Sequence, residues 1–133
     1  MVVGDLRRRA AVLVALAAAG CAVPYRACPV ELPGPVPADA FARCRQALLA
    51  RYGELAFAEP DPLRLQTDWV EVDELPGERR ISVYADGAEL SVVVEARWLR
   101  ERWFDTPEWS EVRADPATER QLARWLGEVL TSP

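Results

Sequence analysis

The sequence predicts an α+β domain: a four-stranded antiparallel meander sheet flanked by an N-terminal and a C-terminal helix packed on one face, in two layers. Three observations predict it. Apolar residues recur at 3–4 spacing at both ends of the region 38–133. Between those ends lie four runs with strand-like alternation. The runs are separated by turn chemistry of hairpin length: Pro60-Asp61-Pro62, Asp73 to Gly77, and Asp86-Gly87.

The first helix spans 38–52, with Ala40, Phe41, Cys44, Leu48 and Tyr52 on one face. Asp39 in its first turn and Arg51 in its last suit the helix dipole, and Gly53 is placed to end it. Strands follow at 54–59, 63–72, 79–85 and 89–98. The second carries Leu63, Leu65, Thr67 and Trp69 on one side, and the third Ile81, Val83 and Ala85. The fourth turns Leu90, Val92, Val94, Ala96 and Trp98 inward. Residues 99–114 fit a strand extension, a loop or a single helical turn equally well. The last helix has Asp115 as N-cap, Pro116 at N1 and Glu119 in its first turn. Leu122, Trp125, Leu126, Val129 and Leu130 make its apolar stripe.

Composition excludes much chemistry. The chain has 133 residues, 50% of them apolar and 28% charged, the balance of one globular domain. His, Lys and Asn are absent. Ser-His triads, Cys–His dyads, His metal sites, a phosphate-binding loop with its Lys, and Schiff-base catalysis are therefore all ruled out. The net charge of −5 argues against gripping nucleic acid through phosphate neutralisation. No Asp-x-Asp-x-Asp-Gly loop is present to bind calcium, and no cofactor or metal site is expected.

The front of the chain is organised differently. Arg7, Arg8 and Arg9 precede an unbroken apolar run from Ala10 to Ala19, followed by Gly20 and Cys21. A basic start, a short greasy stretch and a small-residue site make a secretory leader, and ten residues are too few to span a bilayer, which takes about 20. The same run reads alternatively as an ordinary leader cut after a small residue, or as a short buried helix. Ala18-Ala19-Gly20-Cys21 resembles the lipobox of bacterial lipoproteins, with Ala18 where Leu is usual. The resemblance implies a signal peptide over 1–20, a diacylglycerol on the sulfur of Cys21, and a mature chain held at the cell envelope by its acyl chains. Ala22 rather than Asp after the cysteine implies, for a Gram-negative source, an outer-membrane lipoprotein facing the periplasm.

With Cys21 modified, Cys28 and Cys44 remain as a pair for a disulfide in an oxidising compartment. The other reading is two separate thiols, Cys44 being a small buried helix residue. Residues 21–37 carry Pro24, Pro29, Pro33, Pro35 and Pro37, which forbid a helix and favour an extended tether between anchor and domain.

Five tryptophans are many for this length, and three crowd 98–109 beside Arg97, Arg100 and Arg102. Trp98 and Trp125 lie on apolar faces and read as core. Trp103, Trp109, Arg100 and Arg102 fall in the ambiguous segment and are the candidates for partner binding, through aromatic contact and Arg-supplied cation–π pairs. The expectation is a non-catalytic, lipid-anchored envelope protein that binds or scaffolds an envelope partner at the membrane surface. An accessory solute- or glycan-binding module using the Trp/Arg surface is one alternative. A small hydrolase with paired carboxylates is another, although sequence spacing selects no pair. An exposed edge strand would favour partner capture by strand addition.

Overall fold

The structure is a computed structural model, and it describes residues 27–133. The leader and Cys21 lie outside the described residues. The elements in chain order are β1 (Cys28–Pro29), α1 (Ala40–Tyr52), β2 (Leu55–Pro60), β3 (Leu63–Thr67), β4 (Glu78–Asp86), β5 (Glu89–Arg97), β6 (Leu99–Arg102), β7 (Asp105–Trp109), β8 (Arg113–Ala114) and α2 (Pro116–Thr131).

The fold is α+β, with an antiparallel sheet and two helices. The meander β2-β3-β4-β5 is present, but the sheet has six strands rather than four. The additions, β1 and β8, both pair with β5 on the edge away from β4. Each is two residues long, too short to leave a periodic signature. β6 and β7 form a separate hairpin.

Alternation along the strands sends Leu65, Ile81, Val83, Leu90, Val92 and Val94 to one side of the sheet. There they pack with Cys44 and Leu48 of α1 and with Leu122, Leu126 and Leu130 of α2 in a single core. α1 lies over β2 and β3, α2 over β5 and β1, and the helices touch each other. Arg43 of α1 donates to the carbonyls of Leu130 and Ser132, at 3.2 and 3.0 Å, and so satisfies the C-terminal end of α2.

Two further boundaries differ from the sequence reading. Cys28 and Pro29 pair with β5, Val30 is buried, and Leu32 and Val36 pack against the core. The proline-rich stretch from 28 to 37 is thus extended, but lies against the domain, because its apolar residues have a core to cover. Gly127 on α2 makes room for this strap: a Cβ there would sit 3.1 Å from the Glu31 carbonyl oxygen. The second strand ends at Thr67 rather than Val72. The Asp68 carboxylate accepts the Trp69 N–H at 2.8 Å and breaks the alternation there. Trp69, assigned by sequence to the side of Leu63, Leu65 and Thr67, lies instead beside Arg80 and Arg97.

The start of α2 is locked to β5 in the gap between β1 and β8. The Val94 amide donates to the buried Glu119 carboxylate at 3.0 Å, and the Val94 carbonyl accepts from the Asp115 amide at 2.9 Å. Asp115 caps the helix by accepting the Thr118 amide and hydroxyl, and it pairs with the buried Arg79 at 2.7 Å.

Candidate functional site

The sheet face opposite the helices is built from cross-strand charge. The β4–β5 register sets Glu78 directly across from Arg97 and Arg80 across from Glu95. Both pairs close at 3.0 Å. Trp69, released from β3, lies over this ladder with its ring centre 4.8 Å from the Arg80 guanidinium and 4.3 Å from that of Arg97. Trp109 stacks on Arg97 as well, at 4.0 Å. Arg97 is therefore shared by two indoles and one carboxylate. The Glu78 and Glu95 carboxylates are thus engaged by arginines of the same sheet. Next to the ladder is a shallow groove of about 350 Å³, lined by Phe57, Arg64, Gln66, Ser82 and Tyr84.

A ribbon leaves the end of this face. β5 runs into β6 through Trp98, and β7 returns towards β8. The Trp98 carbonyl accepts the Ser110 amide at 2.6 Å, and the Trp98 amide donates to the Ser110 hydroxyl at 2.8 Å, so the ladder is held across the junction. Beyond it Leu99 faces Trp109, Arg100 faces Glu108 and Arg102 faces Asp105, with an irregularity between the last two pairs. Arg102 also reaches Glu108 at 3.0 Å. Trp103 and Phe104 form the turn, with 95% and 98% of their surfaces in solvent.

The four residues singled out from sequence thus all stand on one hairpin, in different situations. Trp103 is at the tip, Arg100 is exposed on β6, Arg102 is tied to the acidic side chains of β7, and Trp109 is half-exposed and stacked on Arg97. Phe104, Trp69 and Arg80 were not selected by sequence reasoning. Phe104 had a signal, its adjacency to Trp103 in an apolar pair between charged residues. Trp69 gave none, because it continues the alternation of Leu63, Leu65 and Thr67. Trp98 and Trp125 are half-buried, Trp98 near Arg79 and Trp125 under Arg51 at 4.6 Å.

Cys28 and Cys44 are free thiols, so the expected bridge is not formed. Cys44 faces the core from α1, which lies over β2 and β3; Cys28 is on β1 at the opposite edge, under α2. Burial pushes the Cys44 thiol up to about 11. Burial also raises Cys28, reinforced by the negative charge of Glu119. Neither thiol is an activated nucleophile. Among the described residues no group of three or more His, Cys, Asp or Glu side chains converges as a metal site, and no helix is long and apolar enough to cross a membrane. Comparison of the chain with family models, curated proteins and solved structures finds no match.

Proposed function

We propose that this chain is a non-catalytic, lipid-anchored protein of the cell envelope that binds or scaffolds a partner at the membrane surface. The observation that carries the reading is the leader itself: three arginines, ten apolar residues and Ala18-Ala19-Gly20-Cys21 in succession. The acyl chains on Cys21 do the holding, since each buried CH₂ contributes about 0.8 kcal/mol and two or more chains give lasting attachment. The net charge of −5 gives anionic lipid no overall attraction to the chain. The binding surface is the hairpin with the Arg–Trp face at its root, where large side chains meet solvent and no nucleophile–base pair accompanies them.

Mass spectrometry of the protein purified from its native membrane tests this reading. A diacylglycerol-bearing Cys21 at the mature N-terminus is expected. A mature protein that retains Met1 and an unmodified Cys21 would remove the anchor, and the envelope assignment with it.

A further inference from the structure

The turn of the β6–β7 hairpin is an unusual place for two aromatic rings. Two-residue hairpin turns favour Gly, Asn and Asp, whose side chains tolerate the backbone and suit water. Here the turn is Trp103-Phe104, with the two most exposed large apolar side chains among the described residues. The rings make no core contact and stack on nothing in the domain. The stem beneath them carries Arg100 and Arg102 against Glu101, Asp105 and Glu108, with Arg102 bound to Glu108 and near Asp105. An aromatic point on a stalk without net positive charge matches the lipid–water boundary, where an indole buries its apolar body and keeps its N–H wet.

The topology points the N-terminal end of β1 towards the hairpin. β1 is antiparallel to β5, with Cys28 across from Val92 and Pro29 across from Ser91. Followed backwards from Pro29 to Cys28, β1 therefore runs along β5 in the direction in which β5 leaves for the hairpin. Cys21 precedes Cys28 by seven residues, a reach of at most about 25 Å. Along the ribbon, Trp103 lies eleven residues beyond Val92, about 35 Å at strand rise. The arm is longer than the tether, so a domain anchored with this end towards the bilayer brings the tip to the surface before the tether is fully drawn out.

We infer that Trp103 and Phe104 insert into the lipid–water interface and form a second membrane contact beside the acylated N-terminus. The inference rests on the anchor reading for the orientation of the domain, and on the hairpin alone for the contact. Because the stem has two arginines against three acidic residues, insertion depends on apolar burial and does not call for anionic lipid.

The test uses the full-length protein from its own membrane, reconstituted into phosphatidylcholine vesicles with or without bromine on the acyl chains. Mass spectrometry of the same preparation records the state of Cys21. Bromine is expected to quench tryptophan emission in the native chain, with the same loss at high salt. In Trp103→Phe the bromine-dependent loss is expected to fall at least about fivefold, because a ring seated about 5–10 Å into the interface is the one indole near the chains. Trp109→Phe should keep the quenching. Both variants should retain the far-UV spectrum, since position 103 packs against nothing and Phe at 109 keeps an aromatic ring for Arg97. An acylated Cys21 with no quenching, or with quenching indifferent to Trp103, overturns the inference and leaves the anchor standing. An unmodified Cys21 with Trp103-dependent quenching overturns the anchor and upholds the contact. Burial of Trp103 against a membrane protein, without bromine quenching, overturns the inference in favour of a protein partner.

Discussion

Asp115 ties the start of α2 to both β4 and β5. It caps α2, anchors its amide to β5 and neutralises Arg79, which is only 5% exposed. Burial alone would raise its carboxyl, but hydrogen bonds from the Thr118 hydroxyl, Arg79 and the Thr118 amide, with the charge of Arg79, hold it below the usual aspartate range. A depressed folded-state pKa stabilises the fold above the unfolded value of about 3.9, and that contribution is lost as pH falls through the folded value. Asp115→Asn is therefore expected to destabilise by about 3 kcal/mol at neutral pH, because it leaves Arg79 buried without a counter-charge. The gap to the native protein should narrow as urea midpoints are taken from pH 6 down to pH 3; a constant gap would deny the linkage. Cys44 gives a second test at this scale. With its thiol pushed up to about 11 and the side chain fully buried, maleimide at pH 7.5 should leave Cys44 unlabelled in the folded protein and label it in urea. Cys28, partly exposed, should label first.

Among the elements, the hairpin separates exposed rings from rings that hold the structure. Replacing Trp103 and Phe104 together by Ser is expected to change the melting free energy by less than about 0.5 kcal/mol, the range for surface positions without contacts. Trp109→Ala removes one of the two indoles stacked on Arg97 and should cost about 1 kcal/mol. Equal losses in thermal melts of the two variants would contradict the stacking. The hairpin was also the element least legible in the sequence. Its strands mix charged residues with Leu99, Thr106, Pro107 and Trp109 at no fixed spacing, so no apolar period marks them, and Trp-Phe lacks the turn chemistry that announced Asp86-Gly87. The meander strands were legible because Ile81, Val83, Leu90, Val92 and Val94 face one core at period two. The helices were legible from Cys44 and Leu48, and from Leu122, Leu126 and Leu130. β1, β8 and the Arg–Trp face were not, since each depends on which distant residues the tertiary structure brings alongside.

At the scale of the whole molecule, the domain is closed by chain that sequence reading set outside it. The strap from Cys28 to Val36 covers one flank, and it can do so because position 127 has no side chain. Gly127→Val is expected to push the strap off α2 and cost about 1–3 kcal/mol, the usual penalty for overpacking. Amide exchange should report the loss at Val30, whose N–H donates to the Leu90 carbonyl at 2.7 Å. Unchanged protection at Val30 would mean that the strap is held by other contacts.

The locking of Val94 by Glu119 and Asp115 has a consequence for where a further strand can pair. One margin of the sheet is taken up by β1, by β8 and, between them, by side chain and backbone from the start of α2. The other margin, β2, has no neighbouring strand among the described residues. The border made by β1 and β8 offers only two residues in each, against six in β2, so an added strand has its longer register along β2.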